Sequence, residues 1–193
     1  MLHPSIVIKA PERLLRRISI MDLASVIRNI PNFPKPGIQF KDITTLLLEP
    51  EAFRQVIETF VKRYHSFRLD ALVGIEARGF VFGGALAYTM GLPFVLARKP
   101  GKLPGDTIQE SFALEYGTDT VAMHRDAIKP EQRVLIVDDL LATGGTVAAV
   151  SRLVGRLGGN AVEAAFVIEL PPLKGREKVA PLPVFSLVEF MVE

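Results

Sequence analysis

Residues 134 to 137, VLIV, are apolar at every position, and a strand that offers such side chains to both faces must be covered on both. ALVGI, 71 to 75, has the same character. Around these runs lie segments with helical spacing. In EAFRQVIETFVKRYH, Phe53, Val56, Ile57, Phe60, Val61 and Tyr64 repeat at i, i+3, i+4, i+7, i+8 and i+11, the template of a one-faced helix. In TVAAVSRLVGRL, Val147, Val150, Leu153, Val154 and Leu157 mark a second, closed by Gly158 and Gly159. A helix from Phe80 to Met90, a GLP turn and the strand PFVLA follow ALVGI as a βαβ unit, and AVEAAFVIEL and PVFSLVEF supply later strands. Apolar strands alternating with helices predict an α/β fold with a mostly parallel central sheet flanked by helices. In such sheets ligands sit at the carboxyl ends of the strands. A chain of 193 residues suits one domain, 1–193.

Composition narrows the function classes. A net charge of +2 and a pI near 9.0 fall short of the dense basic stripe that nucleic-acid binding needs, so any anion site must be local. There is no cysteine, which removes disulfides, thiolate nucleophiles and zinc ribbons and suits a reducing cytoplasm. His3, His65 and His124 are too scattered for a metal-ligand pattern. Gly79 to Ala97 carries no charge and is long enough to span a bilayer, but Gly79, Gly83, Gly84, Gly91 and Pro93 divide it. A buried helix, turn and strand is the simpler reading, and no membrane contact is expected. The first twenty residues, with Arg13, Arg16 and Arg17, lack the apolar core and cleavage site of a signal peptide. They read as an amphipathic segment packing on the domain edge, with Met21 as an alternative start. Between Arg98 and Arg125 the chain turns Gly- and Pro-rich without a sustained period, a long excursion with room for a hairpin, of the kind that serves as a lid or binding loop.

The chemistry concentrates in VLIVDDLLATGGT. A strand runs out at Asp138 and Asp139, and a Gly-Gly turn opens a helix. The backbone amides of Ala142, Thr143, Gly144, Gly145 and Thr146, with the two threonine hydroxyls and the helix dipole, make a cradle for one phosphate. No lysine follows the glycines and no G-x-G-x-x-G occurs, so nucleoside triphosphate and dinucleotide folds lose ground. Ionised aspartates accept only, and beside a phosphate they suit a pair of hydroxyls or a magnesium ion. A ribose 5-phosphate offers such hydroxyls. An ordinary Asp-rich turn capping a helix is the competing reading. Two further strand ends are basic, at Arg78 in GIEARGF and at Arg98, Lys99 and Lys102 in LARKPGK. Singly these are solvated side chains; together on the edge that carries the phosphate turn they suggest a second, more anionic group such as a pyrophosphate.

VLIVDDLLATGGT resembles the phosphoribosyl-pyrophosphate signature of the type I phosphoribosyltransferases, and GIEARGF, RKPGKLPG, LEYGTD and FPKPGIQFKDIT resemble its adenine-specific members. The resemblance runs from about Ile30 to the C-terminus. It implies the type I fold with a small hood, formed within residues 1–45 after an N-terminal extension, and a flexible lid over 101–114. It implies transfer of the 5-phosphoribosyl group to adenine, giving AMP and pyrophosphate, with Mg2+ carried mainly by the pyrophosphate, and a homodimer. By matching motifs, Asp138 and Asp139 would hold the ribose hydroxyls, 142–146 the 5′-phosphate, and Arg78, Arg98, Lys99 and Lys102 the pyrophosphate. Phe40 would stack on adenine opposite Leu170, backbone groups of Gln39 and Lys41 would read the base edge, and Glu115 would assist proton movement. For Phe40 the alternative is an ordinary core aromatic, and for Glu115 a solvated loop acid. Glu76 and Ala77 are expected to share a non-proline cis peptide. A transferase for another base, or a regulator that senses phosphoribosyl pyrophosphate and binds DNA, are the other functions weighed. The first is opposed by the hood and LEYG, the second by the roughly thirty residues ahead of FPKPG, too few for a winged helix.

Overall fold

Pro31, Pro34 and Pro36 fix the backbone at a tight reversal of the chain. The computed structural model describes residues 21–113 and 117–191. A short 3-10 turn, Leu23–Val26, leads into an antiparallel pair, β1 (Arg28–Pro31) and β2 (Gln39–Asp42). Phe33 and Phe40 meet edge to face across it, with ring centroids 5.2 Å apart. Arg28 pairs with Asp42 at its base. The Thr44 hydroxyl and Arg28 hold the Asp42 carboxyl down at about 2. This small sheet lies in the segment where the sequence places the hood.

α1 (Thr44–Leu47) and α2 (Pro50–Tyr64) follow. Proline at the first position of α2 costs no helical hydrogen bond, and Lys62 and Arg63 suit the negative end of the dipole. The face that the apolar spacing predicts is the one buried, through Ala52, Val56, Ile57, Phe60 and Tyr64. β3 (Ala71–Ile75) is buried at every residue. α3 (Arg78–Met90) stops at Gly91, which takes the left-handed conformation that ends helices, and β4 (Phe94–Ala97) returns. The Gly- and Pro-rich excursion folds into an antiparallel hairpin, β5 (Thr107–Ala113) and β6 (Thr118–His124). Then come β7 (Arg133–Leu141), α4 (Gly145–Arg156), β8 (Asn160–Glu169), α5 (Gly175–Val179) and β9 (Val184–Glu189).

β4, β3, β7, β8 and β9 lie in that order in one sheet, every pair parallel. Alternate residues go to opposite faces, so each apolar strand feeds two cores. Leu72, Leu135 and Val137 meet Phe60, Phe82 and Leu86 of α2 and α3. Ala71, Val73, Val134 and Ile136 meet Val150, Leu153 and Val154 of α4 and Ile108, Phe112 and Val121 of the hairpin. After β4 the chain crosses back to the other side of β3 to form β7, so the strand order reverses between β3 and β7. A crevice opens there at the carboxyl ends.

In one respect the strand differs from its sequence reading. β7 does not run out at the two aspartates but continues to Leu141, because β8 extends beside it and pairs Asp138 with Phe166 and Leu141 with Glu169. The acids are therefore held by a sheet, not by a loose turn. In the first half of β8, buried Glu163 takes Arg63 Nε and Nη2 at 2.7 and 2.6 Å and the Tyr64 hydroxyl at 2.6 Å. Burial and this carboxylate push the Tyr64 phenol well above its ordinary range. Among the described residues no helix is long and apolar enough to cross a membrane. The amphipathic segment read over the first twenty residues lies outside the described residues.

Candidate active site

The site grows from the ends of β3 and β7. Beyond Ile75 the Glu76–Ala77 peptide is cis, and Arg78 opens α3. The first turn of α3 lies flat on the end of β7, where a Cβ on Gly79 would stand 2.6 Å from the Val137 carbonyl oxygen and 2.9 Å from Asp138 Oδ1. Glycine is the residue that permits this approach. Asp138 Oδ1 accepts the Asp139 amide at 2.9 Å. Asp139 Oδ2 lies 2.6 Å from Arg78 Nε, and its side chain is 4% exposed. The Arg78 guanidinium in turn faces the Phe40 ring, 5.7 Å from its centroid, which links hood to sheet. Burial, with Asp139 adjacent, pushes the Asp138 carboxyl well up from its ordinary value. Burial also raises Asp139, opposed by Arg78.

Arg78 Nε, 2.6 Å from Asp139 Oδ2, gives this buried carboxylate an ionic partner. Arg98 lies across the crevice from it, where it lines a hollow with Glu76, Lys99, Asp119 and Asp138.

Three hollows meet at Asp138. The first, about 90 Å3, is lined by Asp138, Phe166 and the turn from Ala142 to Thr146. Gly144 is left-handed, with φ 78°, and no side chain caps α4, so the first amides of the helix are free for an anion. The second, about 170 Å3, lies between Glu76, Arg98, Lys99, Asp119, Asp138 and Thr146. The third, about 280 Å3, is lined by Glu76, Ala77, Arg78, Asp138 and Asp139. Larger hollows beside α4 and beside the 104–106 turn lie away from these acids.

The structure gathers Arg98, Lys99 and Lys102 around acids. Arg98 Nη2 and Lys102 Nζ reach Glu76 Oε1 at 2.7 and 3.1 Å, and Lys99 Nζ reaches Asp119 at 3.2 Å. Arg78 stands apart from these three, on Asp139. Arg98 and Lys102 hold the Glu76 carboxyl down at about 2 from its usual 4.5. Because the folded value is the lower one, the stabilisation from these pairs is full above pH 4.5 and lost as pH falls toward 2. An NMR titration of the Glu76 side-chain carboxyl is expected to give a midpoint near 2; a midpoint near 4.5 would mean the pairs do not form in solution.

On the hood side, Phe40 is half-buried and turned to Arg78. The Gln39 and Lys41 side chains both engage Asn29, at 2.7 and 3.0 Å. Leu170 is 9% exposed and follows the carboxyl end of β8, on the same sheet edge as the acids. Glu115 lies outside the described residues. Two acids at the site, Glu76 as an ion-pair partner and Asp119, escaped the sequence reading. Glu76 sits directly after a buried strand and Asp119 closes the LEYGTD motif, so a signal was available for each.

Fold and site together define an α/β protein with an anion-accepting crevice at the switch point of a parallel sheet. The chain belongs to the phosphoribosyltransferase family: the family model "Phosphoribosyl transferase domain" matches residues 42–190. Within that family it is similar to adenine phosphoribosyltransferases. It is 57% identical to adenine phosphoribosyltransferase 1 of Triticum aestivum over 86% of this chain and 92% of the relative. The crystal structure of adenine phosphoribosyltransferase from Thermoanaerobacter pseudethanolicus superposes with a TM-score of 0.85 at 48% identity, covering 87% of this chain and 98% of that one. The Saccharomyces cerevisiae enzyme, solved with an imino-altritol bisphosphate and adenine, gives a TM-score of 0.81 at 41% identity, over 86% of this chain and 96% of that one.

Proposed function

We propose that the chain transfers the 5-phosphoribosyl group from phosphoribosyl pyrophosphate to adenine, forming AMP and pyrophosphate. The observation that carries this reading is the meeting, around Asp138, of a turn of free amides, two neighbouring carboxylates and the cations Arg98, Lys99 and Lys102. A sugar with hydroxyls in its middle, a phosphate at one end and a pyrophosphate at the other completes all three. Sequence relatives and structural neighbours that carry the adenine enzyme's name over most of the chain support the same conclusion.

In this reading Asp138 and Asp139 hold the ribose hydroxyls and the amides and hydroxyls of 142–146 hold the 5′-phosphate. Arg98, Lys99 and Lys102 exchange their contacts with Glu76 and Asp119 for the pyrophosphate, and Arg78 steadies the sugar acids against Phe40. As the pyrophosphate leaves C1, positive charge builds on the sugar, and the fixed carboxylates and lysines stabilise the two separating charges. Among the described residues no group of three or more acids or histidines is arranged to cage a metal ion. Two neighbouring carboxylates suit Mg2+ that arrives on the substrate's phosphates, since it takes one or two protein ligands and keeps the rest from phosphate and water. When bound it supplies charge neutralisation to the leaving group. Glu115 is assigned the proton at the base. The 101–114 excursion is assigned to shield the sugar from water, a role supported by the seating of Phe112 against the start of α4 at Gly145.

Phe40 is assigned to stack on adenine, with Leu170 opposite and the Gln39 and Lys41 backbone at the base edge. Phe40→Ala is expected to raise the KM for adenine by roughly tenfold to a hundredfold, the range of one lost stacking contact, with a smaller change for phosphoribosyl pyrophosphate. Steady-state kinetics with each substrate varied checks it, and equal changes in both would remove Phe40 from the base slot. We place the protein in the cytoplasm as a homodimer, supported by its lack of cysteine and by Val81 and Tyr88, 42% and 90% exposed on α3. The deciding experiment supplies phosphoribosyl pyrophosphate, Mg2+ and each purine or pyrimidine base in turn. AMP from adenine, with no nucleotide from other bases, is expected; product from another base alone would reassign the substrate, and none from any would overturn transfer.

A further inference from the structure

β8 carries two buried glutamates, Glu163 in its first half and Glu169 at its end, and an arginine fork grips each. Glu163 is held by Arg63 at 2.7 and 2.6 Å, far from the crevice. Glu169 is held by Arg176 Nε and Nη2 at 2.7 and 2.6 Å, directly beside the phosphate turn. Ser186 adds a hydrogen bond to Glu169 at 2.6 Å, and Arg176 Nη1 donates to the Val184 carbonyl at 2.8 Å. Burial disfavours the Glu169 carboxylate, yet Arg176 and Ser186 outweigh it and its pKa is lowered. Glu169 pairs in register with Leu141, the last residue before the turn, and the Leu170 amide donates to the Leu141 carbonyl at 3.0 Å.

Next to Arg176, Gly175 packs main chain to main chain against the turn. A Cβ on Gly175 would collide with the Ala142 carbonyl oxygen, and one on Gly144 would stand 2.5 Å from the Gly175 carbonyl oxygen. The two main chains meet there with the Leu141 and Val179 side chains packed alongside, and no side chain caps α4. The floor under the turn is therefore Gly175, and the direction of that floor is set by the fork on Glu169.

We propose that Arg176 and Gly175 are positioning residues for the 142–146 turn, acting through its backbone to aim its amides at the 5′-phosphate. The proposal rests on the phosphoribosyl-transfer reading above. Neither residue touches substrate; both act through the turn. Phosphate amides work as a converging set, and a shift of the order of 1 Å in such a set costs up to about a hundredfold.

The test measures ribose 5-phosphate affinity by titration calorimetry, KM for each substrate and melting temperature in Gly175→Ala, Arg176→Ala, Arg176→Lys and Arg63→Ala. Gly175→Ala and Arg176→Ala are expected to weaken ribose 5-phosphate and raise the KM for phosphoribosyl pyrophosphate by roughly tenfold to a hundredfold, with the KM for adenine moving less than about threefold. Arg176→Lys, which keeps the charge and loses the fork, should fall between these and wild type, and it alone decides if the other two do not fold. Arg63→Ala removes an equivalent fork in the first half of β8 and should lower the melting temperature with sugar-phosphate affinity intact. Unchanged affinity in the Gly175 and Arg176 variants, or equal weakening by Arg63→Ala, overturns the positioning role. A wild-type chain that makes no AMP overturns the functional reading itself, and the proposal with it.

Discussion

Asp138→Asn combined with Asp139→Asn is expected to lower kcat/KM by about a thousandfold while leaving the fold at least as stable. Each carboxylate-to-hydroxyl hydrogen bond lost is of the order of 1.5–3 kcal/mol, and two together correspond to roughly two to four decades of rate. Stability moves the other way. Burial raises both carboxyls above their ordinary values, so ionised acids weigh against the fold at neutral pH, and their protonated forms favour it only as pH falls below the raised pKa. Asparagine keeps the shape and removes that charge. The loss of the Arg78 contact, on a side chain 45% exposed, offsets part of the gain. Kinetics beside a thermal melt separates the outcomes. A collapse in melting temperature would make the pair structural, and unchanged turnover would put the sugar elsewhere.

Gly79→Ala carries the second large effect. Its Cβ would press on the Val137 carbonyl and the Asp138 main chain, which do not yield as a flexible side chain does, and on Asp138 Oδ1, held by the Asp139 amide. Overpacking of this kind costs about 1–3 kcal/mol, and relief comes by lifting the start of α3, which carries Arg78, away from β7. Activity should then fall by roughly a hundredfold through misplacement of Arg78 and Asp138. Gly84, one turn further along the same helix, has nothing within 4 Å of its Cβ direction, and Gly84→Ala should stabilise the protein by about 0.5–1 kcal/mol with activity retained. Denaturant melts and assays of the two variants check the contrast; equal behaviour would mean that α3 does not register the acids.

How far the sequence carries is best judged residue by residue. ALVGI is β3 from end to end, because a strand buried on both faces shows no alternation to misread. The turn and α4 were legible for a similar reason, as strand, acids, glycines and apolar spacing come in one unbroken order. The last residues of β7 were not, since Asp138 and Asp139 end the apolar run and only pairing with β8 keeps the strand going. In β5 the buried residues Ile108 and Phe112 sit two steps either side of Glu110, a period of two hidden among glycines and prolines. Glu110 itself docks the hairpin on α4 through Arg152 and Arg156, at 2.6 and 2.9 Å. Partner choice among charges stayed invisible: Lys99 with Asp119, Arg98 with Glu76 and Arg176 with Glu169 depend on which strand ends the topology brings together.

A crystal of the protein soaked with phosphoribosyl pyrophosphate and Mg2+ tests the central claim most directly. The account predicts ribose hydroxyls on Asp138 and Asp139, the 5′-phosphate on the amides of 142–146, and the pyrophosphate drawing Arg98 from Glu76. Density for the sugar anywhere else, or at this crevice with both aspartates left untouched, would contradict it.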